Sequence, residues 1–330
     1  MAETVNIGEI AQKLSEEIFD HFLWNWHPKR DENFGCHNPE HVGNGNKPKL
    51  THPGDIVFSY DDPYLGNTIY LHTDLKSYSK DSIASQKLRD AFKSLAMAVD
   101  CARNSAEWRS LFSIEDSNSF EVRGLLFVHN HDHGFQKKFT DVIETVNFES
   151  MPIPANVYLH YIGPDDIQRL YNIGNDLIRQ RMGRQLSDDY TFYYPDLVMI
   201  HRLGDVWGQP ATIEALTSPY LIVKHRNTEK VSAGYIVYYN RAGDTVEEFV
   251  YFLDTLSRFQ MLEADTSIRV RVTSLSANRM MKSHFESAKK RYVKEWGFDP
   301  IREAILDSIT IDNITAVTDS YNPGDMGWRD

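Results

Sequence analysis

The stretch "GNTIYLHTDLKSY", residues 66–78, constrains this chain more than any other. It alternates as a half-buried strand does, because successive strand side chains point to opposite faces. Asp74 and Lys76 are two apart and share one face, while Leu75 turns to the other. A carboxylate and an ammonium side by side on a strand are either a solvated ion pair or a pair held together for chemistry. The neighbouring elements choose between the two.

A helix is predicted from about Ile7 to Trp24, with Ile7, Ile10, Leu14, Ile18 and Phe22 on one stripe and Glu17 at its edge. A loop rich in Gly, Pro, Asn and His follows over residues 25–54, and loops of that length inside compact domains are usually functional or mobile. "DIVFSY", residues 55–60, reads as a short strand, and "DDPYLGN" as the turn into the opening stretch. After Tyr78 a long amphipathic helix is expected from about Ser82 to Cys101 and onward toward Leu111, opened by "SKDS" as a cap. "RGLLFVHN", residues 123–130, is a strand of the buried type and closes this half.

The order is therefore helix, strand, strand, helix, strand, with Asp55 opening one strand and Asp74-Leu75-Lys76 in the next. This resembles the catalytic core of the PD-(D/E)xK superfamily, the restriction-endonuclease-like nucleases, over roughly residues 7–130. The resemblance implies an α/β fold with a restriction-endonuclease-like core. It implies phosphodiester hydrolysis with Mg²⁺, for which Mn²⁺ can substitute, held by Asp55, Asp74 and the carbonyl of Leu75. Lys76 is then the group that positions water and opposes developing negative charge, and Glu17 completes the site from the first helix. Gln86, early in the long helix, matches a polar residue that some members place near the metal, although an exposed helix position explains it as well. The chain departs from the family's pattern at three points. Gly54 separates Pro53 from Asp55, the second acid is Asp74 where many members have glutamate, and Asp61 and Asp62 compete with Asp55 as the first acid.

Other clusters compete for a metal. "FVHNHDHGF", residues 127–135, sets His129, His131 and His133 at alternate positions around Asp132, and resembles the histidine-rich zinc motif of metallo-β-lactamase-like hydrolases. It is one residue too short for that motif, and a polar strand end accounts for it better. In the long loop, Cys36, His37, His41 and His52 make a chemically acceptable zinc set, but adjacent Cys36 and His37 are awkward ligands for one ion. "GNGNK", residues 43–47, lacks the Ser or Thr and the preceding strand of a phosphate-cradling loop.

The chain has 330 residues, 41% hydrophobic and 25% charged, enough for two domains, here expected at 1–150 and 151–330. The second reads as an α/β unit for binding substrate or partner. "MPIPANVYLHYIG", "DLVMIHRLGD", "SAGYIVYYN" and "SIRVRVTSL" are its strands, and "PDDIQRLYNIGNDLIRQRMG", a helix capped by Asp244 and "NRMMKSHFESAKKRYVKEWGF" its helices. Arg179, Arg181, Arg184, Lys289 and Lys290 are its candidate nucleic-acid contacts. A formal charge of −12 argues against a protein that coats nucleic acid by itself. The expected partners are nucleic acid, with DNA preferred over RNA, and a helicase or ATPase in a maintenance or anti-phage defence complex, since the chain has no motor motif. Self-association is compatible with the sequence. Two cysteines, the lack of a signal-peptide pattern and no apolar run near the ~20 residues of a membrane span fit the cytoplasm. The rival functions are a non-catalytic scaffold on the same fold and a zinc hydrolase built on His129–His133.

Overall fold

The computed structural model describes residues 13–317 apart from 15, 44, 46, 115–118, 150, 196–206, 296 and 298. The chain divides into two compact units, with the boundary between Gln168 and Arg169.

In the first unit the strands are β1 (Asn25–Trp26), β2 (Glu32–Gly35), β3 (Thr51–Gly54), β4 (Ile56–Asp61), β5 (Thr68–Tyr78), β6 (Phe120–Asn130) and β7 (Leu159–Ile162). The helices are α1 (Ser85–Ala102), α2 (Ala106–Leu111) and α3 (Phe139–Ile143), and α4 (Pro164–Met182) straddles the boundary. The main sheet has the order β1-β4-β5-β6-β7, antiparallel through β5 and parallel from β5 to β7. β6 is buried along nearly its whole length because it has a strand on each side and a layer on each face. Val57, Val122, Leu126 and Val128 meet Leu88, Phe92, Leu95 and Val99 of α1 on one face. Phe58 and Phe127 meet Phe19 of the N-terminal segment on the other.

Several sequence expectations change in detail. The part of the first predicted helix before residue 13 lies outside the described residues, and the rest of it ends as a 3₁₀ turn at Phe19–Phe22. Leu23 closes that turn at φ 61°, so Trp24 leaves the helix and stacks on Phe19 at 4.7 Å. The long helix does not run through to Leu111. A separate 3₁₀ turn occupies Lys80–Ser82, α1 stops at Ala102, and the Ser105 hydroxyl accepts from Trp108 N–H to start α2. "MPIPANVYLHYIG" supplies β7, which pairs with β6, so this strand belongs to the first sheet and the boundary falls later than residue 150. The loop at 25–54 carries β1 and a two-stranded ribbon of β2 and β3.

The second unit is built on a sheet ordered β12-β11-β10-β9-β8, from β8 (Tyr190–Phe192), β9 (Tyr220–His225), β10 (Gly234–Tyr239), β11 (Ser267–Val272) and β12 (Thr310–Asn313). Its further helices are α5 (Ile213–Thr217), α6 (Val246–Arg258), α7 (Met281–Glu295) and α8 (Pro300–Ser308). Ile268, Val270 and Val272 alternate toward Phe249, Phe252 and Phe285 of α6 and α7. Arg271 donates from the other face to the buried Asp176 of α4, Nε at 3.1 Å, and Arg269 to Gln180 at 2.7 Å. The cap of α6 is Thr245, which accepts from Glu248 N–H at 3.1 Å, and not Asp244. "DLVMIHRLGD" lies outside the described residues.

A Cβ on Gly124 would sit 2.6 Å from Leu159 Cδ2 of β7 and 2.9 Å from Leu95 Cγ of α1, which lies close over the strand. Gly124→Ala is expected to destabilise the protein by about 1–3 kcal/mol through overpacking. Urea unfolding checks this, and unchanged stability would mean that the helix does not press on β6 there.

Candidate active site

The β4–β5 ladder ends with Ile56 opposite Thr73, so the next pair in register is Asp55 and Asp74. By strand parity both side chains lie on the face that α1 covers, together with Lys76. Asp55 is 8% exposed, and its Oδ2 accepts from Leu75 N–H at 2.7 Å. That N–H would otherwise look for one more strand partner, so the carboxylate takes over the ladder where the backbone of β4 stops. Lys76 Nζ donates to Asp74 Oδ1.

Burial, and then the neighbouring Asp74 charge, push the Asp55 carboxyl up to about 7, while the Leu75 N–H and Lys76 pull it down. Asp74 thus raises Asp55, as one acid beside another does. Lys76 is shifted the other way. Burial works to lower its pKa, but Asp74 and then Asp55 outweigh burial and the net shift is upward. Its ammonium stays charged at neutral pH.

Asp61 and Asp62 sit at the far end of the hairpin, about 20 Å away at ~3.3 Å per residue. Asp61 accepts from Thr68 Oγ1 at 2.7 Å, and Asp62 from the N–H groups of Tyr64 and Leu65 at 2.9 Å each. These acids shape the turn, which leaves Asp55 as the acid beside Asp74.

A histidine that the sequence did not single out holds this end of the hairpin. Trp108 Nε1–H donates to His72 Nδ1 at 3.2 Å, so the imidazole carries its proton on Nε2 and donates to the Pro53 carbonyl at 3.0 Å. Burial pushes His72 down to about 4, which keeps the ring neutral. The same closeness explains the Gly54 inserted between Pro53 and Asp55. A Cβ there would lie 3.0 Å from His72 Cε1 and 3.2 Å from Phe112 Cζ.

Lys49 is a second cation on this face. Its Nζ donates to Ser94 Oγ of α1 at 3.0 Å, and burial lowers its pKa against the pull of Cys36, Asp74 and Cys101. In the sequence nothing separates it from Lys47. Glu17 is half-buried on the segment that packs against the opposite face of the sheet, and its carboxylate is not among the charges acting most strongly on Asp55 or Lys76. Gln86 is exposed and donates to Asp90 at 3.1 Å.

The other clusters sort themselves. Asp132 accepts from the N–H groups of Lys80 and Gly134 and from Asn130 Nδ2, and His131 Nδ1 lies 3.1 Å from Ser77 Oγ, so residues 129–133 form a polar strand end. Among the described residues, the metal-capable group whose ligand atoms converge is Cys36, His41, His52 and Cys101. It replaces His37 of the expected set with a cysteine from α1. Of the expected nucleic-acid contacts, Arg179 donates to Thr315 O at 3.1 Å, Arg181 pairs with Asp188 at 2.8 Å, Arg184 pairs with Glu229, and Lys290 is exposed. Lys289 needs correcting. It is 3% exposed and donates to Ile309 O at 2.8 Å and Glu286 at 2.9 Å, so its charge anchors α7 and is withdrawn from any surface partner.

A mixed sheet that brings two acids and a lysine to the end of one hairpin, under a covering helix, defines a nuclease domain of the PD-(D/E)XK type. The family model of the GAPS4 protein PD-(D/E)XK nuclease domain matches residues 1–166, and the chain belongs to that family. No curated protein and no solved structure matches the chain.

The raised Asp55 pKa has a consequence for stability. Between about pH 4 and pH 7 the unfolded chain has released this proton while the folded chain keeps it, so rising pH removes stability across that window. Asp55→Asn has no such proton to lose. In magnesium-free buffer its stability relative to wild type is expected to improve from pH 5 to pH 8 by an amount on the order of a few kcal/mol. Urea unfolding at the two pH values measures this, and an unchanged difference would mean an ordinary Asp55.

Proposed function

We propose that the chain is a Mg²⁺-dependent nuclease that hydrolyses the phosphodiester bonds of DNA, with Mn²⁺ able to replace Mg²⁺. The observation that carries this reading is the register that sets Asp55 opposite Asp74, with Asp55 held by the Leu75 N–H and Lys76 paired to Asp74 on the same strand face. Two carboxyl groups side by side on one strand face are a donor set that fits a hard divalent cation, which takes oxygen ligands. Asp55, Asp74 and the Leu75 carbonyl would hold it. When bound, such an ion polarises a phosphoryl oxygen and makes water a better nucleophile at neutral pH.

The remaining work falls to the chain itself. The Leu75 N–H fixes the Asp55 carboxylate in place. Lys76 keeps its proton, so it acts as a fixed positive charge that orients water and opposes negative charge building on the phosphate, and not as a base. Lys49 adds a second positive charge toward the same face.

DNA is the proposed substrate, and RNA the alternative that the same assay separates. The net charge of −12 and the pairing of Arg181 and Arg184 with acids support delivery to nucleic acid by a partner such as a helicase or ATPase. We place that complex in the cytoplasm, in nucleic-acid maintenance or anti-phage defence. No helix among the described residues is long and apolar enough to cross a membrane.

The test is cleavage of single- and double-stranded DNA and RNA with and without Mg²⁺, alongside thermal unfolding of each variant. Asp74→Ala is expected to abolish cleavage while the protein stays folded, and Lys76→Ala to cost roughly 10²-fold or more. Asp61→Ala and Asp62→Ala are expected to keep most activity. Full activity in Asp74→Ala would sink the proposal. Because the cation must displace the proton on Asp55, the Mg²⁺ concentration giving half-maximal cleavage should fall as pH rises through about 7. For the partner, the purified chain is expected to bind DNA weakly at physiological salt, and tight non-specific binding by the chain alone would count against delivery.

A further inference from the structure

Four side chains from three separate stretches meet beneath the ribbon of β2 and β3. Cys36 comes directly after β2, His41 lies in the loop beyond it, His52 is in β3 and Cys101 is near the end of α1. His52, Cys101 and His41 are 0%, 4% and 5% exposed, and both cysteines are free thiols. His41 Nδ1 lies 3.5 Å from Cys36 Sγ, 3.5 Å from Cys101 Sγ and 3.4 Å from His52 Nε2, and the two sulfurs are 3.9 Å apart.

From these residues we infer a structural zinc site of Cys₂His₂ type, distinct from the carboxylate centre. The distances carry the inference. Zn–S bonds of about 2.3 Å and Zn–N bonds of about 2.0–2.1 Å in a tetrahedron give edges of about 3.8 Å for sulfur to sulfur, about 3.5 Å for sulfur to nitrogen and about 3.4 Å for nitrogen to nitrogen. The four measured separations match those edges, and all four ligand atoms lie within 4.8 Å of one another. Hydrogen bonding alone does not account for the convergence. With its proton on Nε2 toward Asp100, His41 Nδ1 has one lone pair for three neighbours, and thiols are weak donors and acceptors, so hydrogen bonding satisfies this group of two imidazoles and two thiols poorly. A soft divalent cation satisfies all four at once.

The surroundings fit the same assignment. His41 Nε2, the ring nitrogen away from the cluster, lies 3.2 Å from Asp100 Oδ2, and Asn38 Nδ2 holds that carboxylate at 3.1 Å. A carboxylate behind a ligating histidine is the usual outer partner of a zinc site. Binding is balanced as Zn²⁺ plus two thiols and two neutral imidazoles giving the neutral Cys₂His₂ complex and two released protons.

The position of the site gives it a role. Each strand of the ribbon has four residues, and a two-stranded ribbon of that size is marginal alone. Zinc would clamp it to α1. His52 stands three residues before Asp55, and Lys49, two residues before β3, feels the Asp74 charge, so the clamp would hold in place two groups of the carboxylate centre.

The test uses the full chain and needs no nuclease activity. Protein from zinc-supplemented cells is expected to contain one zinc per chain by elemental analysis. Titration of the apo chain with Co²⁺ is expected to give the visible bands of a tetrahedral centre and a thiolate charge-transfer band, both bleached by zinc. Cys101→Ser and His52→Ala should each reduce zinc to a trace, while His37→Ala keeps it. Should the ligand variants not fold, Asp100→Asn leaves all four ligands in place and should weaken metal binding ~10–100-fold. The inference is overturned by wild-type protein with neither zinc nor the cobalt spectrum, by full zinc in Cys101→Ser, by unchanged affinity in Asp100→Asn, or by a metal-free chain lighter by the two thiol hydrogens of a Cys36–Cys101 disulfide.

Discussion

Asp55 finishes the β4–β5 ladder with its side chain where the backbone of β4 stops, and its place beside Asp74 rests on that one hydrogen bond. The Leu75 N–H needs an acceptor, and the carboxylate that supplies it is thereby held in a buried position beside Asp74. Two acids in that position repel, and the conflict is relieved by a shared proton or by a cation. Holding two acids side by side is a local cost the rest of the sheet must carry.

The sheet carries it because its centre is closely packed. β6 is buried on both faces, and Gly124 lets α1 come close enough for Leu95 and Val99 to reach the strand. Around the hairpin end, His72 ties β3 to β5 through Pro53 O, and Trp108 fixes its tautomer. These contacts leave Asp55 little freedom to swing away from its neighbour. A centre that needs two like charges side by side needs this rigidity in the contacts that surround it.

The 25–54 segment shows what composition hides. Its Gly, Pro, Asn and His content reads as irregular loop, and most of it is. Yet Asn25 and Trp26 add an edge strand to the sheet, Glu32–Gly35 pairs with Thr51–Gly54, and Lys49 and His52 are aimed at partners on α1. Short pairings of this kind leave little periodicity to read, because two to four residues are too few to establish a pattern.

What could be read from residues alone was local. Alternation in "TIYLHTDLK" determined the strand and placed Asp74 and Lys76 on one face, and the acid opening the preceding strand marked Asp55, because a period of two leaves no freedom about which side chains share a face. Pairing across distance belonged to the tertiary structure. The hairpin register set Asp55, and not Asp61 or Asp62, beside Asp74, β6 claimed β7 for the first sheet, burial withdrew Lys289 from the surface, and α1 brought Cys101 to His41, 60 residues earlier in the chain. The physical reason is that periodicity reports the direction of a side chain relative to its own element, whereas a site of several groups is assembled by how elements dock, and docking is decided by burial summed over the whole core.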